Sequence, residues 1–239
     1  MTTSEIIKIF PDLEQIQIDR LNLLCVLFRE WNAKLNLVSR QDILHFEEHH
    51  LLHAMAAAKC VKFPERARVM DIGTGGGLPG LPLAILFPQT KFFLVDSVAK
   101  KMVAVADMIE RLGIKNAEAV NKRAEQLESK FDYVIGRAVA PLPQILGWVG
   151  HTLRTIPSYG KPAQSDPTLG VLYFKGTLYK EELESIRLKP HAVYDLNALV
   201  EREYFKEKYI IHLEATAAIK AMPEPELPAP TKRVRKRRW

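Results

Sequence analysis

From Arg68 onward, short apolar runs alternate with helical patterns, and that alternation leaves few folds open. The runs are Val69–Ile72, Phe92–Val95, Ala117–Asn121, Tyr133–Ile135, Val171–Phe174, Ala192–Leu196 and Tyr209–Leu213. Between them, apolar residues recur at helical spacing over Leu78–Phe87, Val98–Leu112, Leu142–Leu153 and Tyr179–Ile186. Strands separated by helices of that length predict βαβ units, hence an α/β fold with a mostly parallel, helix-covered, Rossmann-like sheet. The last two runs follow each other closely enough to predict a terminal antiparallel hairpin. Arg154–Thr168, rich in Pro, Ser and Gly and without periodicity, predicts a long loop.

The residues before Arg68 follow a different rule. Leu21, Leu24, Phe28, Trp31 and Leu35 form one apolar stripe of an amphipathic helix, extended backward by Leu13 and Ile16, with Asp12 after Pro11 as its expected start. A second helical stretch is predicted from about Asp42 to Cys60. Three units follow: a helical cap over 1–64, a Rossmann-like domain over 65–222, and a Pro-rich spacer with a basic tail, expected to be disordered, over 223–239.

Charge belongs to that tail. Lys232, Arg233, Arg235, Lys236, Arg237 and Arg238 are six positive charges without an adjacent acid, whereas the remaining 28 Lys and Arg balance the 28 Asp and Glu. A dense cationic strip on an extended tether suits contact with a polyanion such as RNA. If it does contact RNA, removing 232–239 should lower the salt-dependence slope of binding by up to about 0.7 for each phosphate the tail neutralises. An unchanged slope would assign the tail another role. Two separated cysteines, Cys25 and Cys60, exclude a disulfide scaffold, and no apolar run approaches the ~18 residues of a membrane helix. The N-terminus lacks the pattern of a signal peptide, so a monomer in the reducing cytoplasm, without membrane contact, is the expected state.

Chemistry is concentrated in Val69-Met70-Asp71-Ile72-Gly73-Thr74-Gly75-Gly76-Gly77-Leu78-Pro79-Gly80. A strand, a glycine loop and a helix bring bare backbone close to a ligand. Two registers coexist. Gly75, Gly77 and Gly80 satisfy a dinucleotide fingerprint, whereas Gly73, Gly75 and Gly77 satisfy the S-adenosylmethionine pattern. Asp71 favours the second, because a carboxylate at the strand end repels a pyrophosphate but attracts the amino group and sulfonium of S-adenosylmethionine; it can alternatively cap the turn. Asp96 ends the next strand, about twenty residues beyond the glycines, where an acid accepts ribose hydroxyls in either cofactor class. Ala124 and Glu125 follow the third strand, where a backbone amide and a carboxylate can match the adenine edge. Arg137 ends the fourth strand; its guanidinium suits a methionine carboxylate or an RNA phosphate. His49 and His53 share a helix face at a spacing that suits a metal, yet no further ligand set accompanies them, and no metal is expected.

Trp31-Asn32, Asn36-Leu37-Val38-Ser39, the Asp71–Gly80 loop, Asp96-Ser97, Arg123-Ala124-Glu125, Gly136-Arg137-Ala138 and Lys175-Gly176 occur in that order. Together they resemble the bacterial guanine-N7 methyltransferases of small-subunit ribosomal RNA, also called glucose-inhibited division protein B, over about Leu21 to Gly176. The resemblance implies a class I S-adenosylmethionine-dependent methyltransferase fold with an N-terminal helical extension. It implies N7 of guanine 527, in the 530 loop of 16S rRNA, as acceptor, and 16S rRNA or the small subunit as partner. Carried across, Gly73, Leu78, Asp96, Ala124, Glu125 and Arg137 line the donor site, with Asp71, Gly75, Gly77 and Ser97 beside them and Lys100 and Lys101 toward RNA. The chain departs from the family pattern at Gly76, where proline is common, at Lys100-Lys101 in place of Lys-Arg, in the longer Arg154–Thr168 loop, and in the basic tail. Guanine N7 carries an in-plane lone pair, so no general base is required and no catalytic residue is named beyond Arg137 on the substrate side. Three other classes remain: a methyltransferase of another substrate, a nicotinamide-dependent oxidoreductase, and a noncatalytic RNA-binding protein with a degenerate donor loop.

Overall fold

The computed structural model describes residues 2–222; the spacer and the cationic cluster Lys232–Arg238 lie outside the described residues. Seven strands form one sheet: β1 (Arg68–Ile72), β2 (Lys91–Asp96), β3 (Ala117–Asn121), β4 (Tyr133–Arg137), β5 (Gly170–Lys175), β6 (Ala192–Asp195) and β7 (Tyr209–Glu214). Their order is β3-β2-β1-β4-β5-β7-β6. All neighbours from β3 to β5 pair in parallel, whereas β7 runs antiparallel to both β5 and β6. The expected terminal hairpin is therefore corrected. The two strands do pair antiparallel, but the helix α9 (Leu196–Val200) and a 3-10 turn separate them, and β7 is inserted between β5 and β6.

Central strands are apolar on both faces because helices cover both, as parallel pairing requires. Val69, Tyr133, Ile135, Leu172 and Phe174 face one core; Met70, Ile72, Val134, Val171 and Tyr173 face the other. The first core also takes the helices α1 (Thr3–Ile9), α2 (Gln15–Leu35), α5 (Gly80–Leu86) and α6 (Ala99–Leu112). The second takes α7 (Leu142–Val149), α8 (Tyr179–Ser185) and α10 (Ala215–Lys220). The N-terminal cap shares its core with the sheet rather than packing as a separate body.

Helix α2 begins at Gln15, not Asp12, because Gln17 reaches back to accept from the Glu14 amide at 3.0 Å. Trp31 donates to Asp107 of α6 at 2.7 Å, and Gln17 donates to the end carbonyls of α5, fastening α2 across both helices. The predicted helix over Asp42–Cys60 is broken into a 3-10 turn, a π-helical turn and two short helices, α3 (His53–Met55) and α4 (Ala57–Cys60). Burial pushes the Cys25 and Cys60 thiols up to about 11 and about 12, away from the thiolate form. Among the described residues no helix is long and apolar enough to cross a membrane.

Candidate functional site

The strand order reverses direction between β1 and β4, and in open α/β sheets ligands bind beyond the carboxyl ends of the strands at that point. A cavity of about 290 Å³ lies there, lined by Ile72 and Gly73 after β1, Asp96, Ser97 and Lys101 after β2, Lys122 through Glu125 after β3, and Ala138, Val139 and Trp148 after β4. Gly73, Asp96, Ser97, Ala124 and Glu125 are thus brought together from three strand ends. The floor needs glycine at Gly73: φ is +59°, and a Cβ would lie 2.7 Å from Val139. Asp96 is held between neighbours, its Oδ2 accepting from the Gly75 amide at 3.0 Å and its Oδ1 from the Val98 amide at 2.8 Å.

Other expected donor residues sit elsewhere. Asp71 does not face the cavity. It is fully buried beneath the loop, where its Oδ2 accepts from Thr74 Oγ1 at 2.5 Å and from the Gly80 amide at 2.8 Å. It is a strut that closes the turn and starts α5, so the turn-capping alternative describes it better than contact with a cation. Gly77 and Leu78 are buried in the loop interior, and Leu78 belongs to the core. Gly75 touches the site through Asp96. Lys100 is exposed at the start of α6, and Lys101 lies on the cavity rim.

Burial raises the Asp71 carboxyl to about 7, against the two hydrogen bonds that lower it. The native protein therefore keeps this proton between the ordinary carboxylate range and about pH 7, where the unfolded chain releases it. Its stabilising contribution is full in acid and is lost as pH rises through about 7. Relative to Asp71→Asn, the wild-type chain should lose stability between pH 5 and pH 8 in urea titrations. Parallel profiles would contradict that protonation state.

Arg137 leaves the donor cavity for the helical cap. Its Nη1 donates to the His49 carbonyl at 3.1 Å and its Nη2 to His50 Nδ1 at 3.0 Å. His50 Nε2 must then carry the hydrogen, which it gives to Asp42 Oδ2 at 2.5 Å. Burial and then the Arg137 charge push His50 down to about 4, so it stays a neutral acceptor. His53 is likewise held well below its ordinary value by burial, then by Arg137. The conspicuous histidines thus position an arginine, and among the described residues no cluster of His, Cys, Asp and Glu is arranged for a metal.

Gly76 explains one departure from the family pattern. A Cβ there would lie 2.7 Å from Phe28 Cε2, so α2 packs flush on the glycine loop and leaves proline no room. Two residues went unread in the sequence. Trp148 supplies an indole to the cavity from α7, and Tyr173 donates to the Ala140 carbonyl while accepting from the Val139 and Ala140 amides, shaping the wall after β4. An aromatic inside an apolar helix or strand pattern reads as core, so neither carried a signal.

The fit to S-adenosylmethionine rests on the cavity wall itself: bare backbone at Gly73 and the fixed Asp96 carboxylate. Strand order and site together define a class I S-adenosylmethionine-dependent methyltransferase fold. A mutant of MtNAS in complex with S-adenosylmethionine shares it, with a TM-score of 0.51, 16% identity, and coverage of 82% of this chain and 74% of that one. The family model of rRNA small subunit methyltransferase G (GidB) matches residues 17–162. "Ribosomal RNA small subunit methyltransferase G" of Flavobacterium johnsoniae is 40% identical over 210 residues, covering 87% of this chain and 96% of that protein. The protein of the same name from Cytophaga hutchinsonii is 38% identical over 208 residues, covering 87% and 97%. The chain belongs to the rRNA small subunit methyltransferase G family.

Proposed function

We propose that this chain methylates N7 of a guanine in small-subunit ribosomal RNA, at the position corresponding to guanine 527 of the 530 loop, acting as a monomer in the cytoplasm. S-adenosylmethionine supplies the methyl group: the N7 lone pair forms the new C–N bond, the S–CH₃ bond breaks with its electrons returning to sulfur, and a cationic N7-methylguanine and a neutral thioether result. The observation that supports this reading is that no imidazole lines the cavity among the described residues, while its Asp96 carboxylate is already bound by the Gly75 and Val98 amides. His53, in the wall of the neighbouring recess, has its Nδ1 3.4 Å from Arg137 Nη1. N7 needs no proton removed, so positioning suffices.

In this reading Asp96 receives the ribose hydroxyls, Ala124 and Glu125 meet the adenine edge, and Trp148 lies along the cavity. Arg137, a largely enclosed cation with no carboxylate in ion-pair contact among the described residues, awaits an anion from donor or RNA. Lys100, Lys101, Lys122 and Arg123 give the mouth of the site a basic rim suited to phosphates. The test is to map 7-methylguanosine in ribosomal RNA from cells with and without the gene. Loss of one modified guanine in the 530 loop is expected; an unchanged map overturns the acceptor assignment.

A further inference from the structure

Ala138 has two sides. One lines the donor cavity; the other lines a second recess of about 430 Å³, with Arg137, Phe174, Lys206, Glu207 and Lys208 among its walls. The reversed strand explains the composition. Because β7 runs against β5, with Tyr209 beside Lys175, the Lys206–Lys208 turn leading into β7 arrives at the same edge as the carboxyl ends of β1 and β4. The recess thereby combines a cluster of cations and one carboxylate, with Phe174 almost fully buried behind them.

That carboxylate belongs to a residue of the recess wall. Glu207 is exposed and sits in the left-handed region at φ +58°, a costly conformation for a residue with a side chain. The neighbouring ammonium groups are turned elsewhere: Lys206 pairs with Glu203 at 2.7 Å, and Lys208 donates to the Tyr204 carbonyl and lies 3.9 Å from the Tyr204 ring centre. Glu207 therefore remains available as an acceptor beside two cations.

We propose that this recess receives the acceptor guanosine, with Glu207 accepting from its N1–H and N2–H₂ groups and with Lys206 and Lys208 exchanging their present partners, Glu203 and Tyr204, for the flanking phosphates. The assignment rests on the guanine-N7 reading and adds to it the residues that choose guanine. A guanine held by its N1–N2 edge presents N7 on the opposite side, toward Ala138 and the donor cavity. Adenine offers an unprotonated N1 to the carboxylate and is rejected. Glu207 also sets a negative charge near a base that becomes cationic as the methyl group arrives.

The full-length protein is assayed with small subunits lacking the modification, and donor affinity is measured separately by calorimetry. Glu207→Gln should lower kcat/KM for subunits by about 10- to 100-fold, the discrimination of one bidentate base contact, while leaving donor affinity unchanged. Guanosine 5′-monophosphate should inhibit the wild-type protein more strongly than inosine or adenosine 5′-monophosphate, and Glu207→Gln should narrow that preference; Lys208→Ala should weaken all three alike. An unaltered kcat/KM in Glu207→Gln, an unaltered nucleotide preference, or a parallel fall in donor affinity overturns the assignment. The wild-type product separates the two levels. If it contains 7-methylguanosine while Glu207→Gln is fully active, only the recess is misassigned; if it contains another methylated base, the guanine-N7 reading itself fails and the recess assignment with it.

Discussion

Gly77→Val is expected to destabilise the fold by about 2–5 kcal/mol, combining a left-handed backbone penalty of about 1–2 kcal/mol with an overpacking cost of about 1–3 kcal/mol. Gly77 has φ +90°, and a Cβ there would lie 2.7 Å from Leu81 Cγ and closer still to its Cδ1. Leu81 is fully buried in the first turn of α5 and cannot withdraw without opening the core. Gly113 provides the control. It ends α6 at φ +61° with nothing within 4 Å of an added Cβ, so Gly113→Ala should carry only the backbone penalty, about 1 kcal/mol. Urea denaturation of the two variants separates conformational strain from collision. Equal losses would show that the loop adapts and that its packing on α5 is looser than the geometry indicates.

Asp96→Ala should weaken S-adenosylmethionine binding by about 10- to 100-fold, since hydrogen bonds to a charged acceptor contribute about 1.5–3 kcal/mol. Two losses coincide: in the proposed donor site the ribose hydroxyls forfeit their acceptor, and the Gly75 and Val98 amides lose the carboxylate that fixes the glycine loop to the start of α6. Asp96→Asn keeps one oxygen and should fall between. Calorimetry reads both variants directly. An undiminished affinity for Asp96→Ala would remove this residue from the donor site, and with it the reason for placing the ribose at the end of β2.

Strand positions were legible to within a residue or two because burial on both faces leaves uninterrupted apolar runs, as in Phe92–Val95 and Val171–Phe174. Short helices were not. Thr3–Ile9, Leu196–Val200 and Ala215–Lys220 span seven, five and six residues, too short for periodicity to register, and are held by tertiary packing of Ile6, Leu196 and Ala218. The interrupted Asp42–Cys60 segment reads as one helix because its composition does, while the contacts of His49, His50 and His53 with Asp42, Arg137 and Tyr204 bend it through three kinds of turn.

The sequence by itself determined the glycine loop, the acid ending β2 and the Ala124–Glu125 pair, because close backbone approach and strand-end chemistry impose residue types locally. Only the tertiary structure decided that Asp71 points inward, that Arg137 is gripped by the cap, and that a reversed β7 brings Lys206, Glu207 and Lys208 to the active edge. The physical reason is range: left-handed turns and apolar periodicity are written over a few adjacent residues, whereas the direction of a buried charge depends on partners up to 88 positions away, as between Arg137 and the His49 carbonyl.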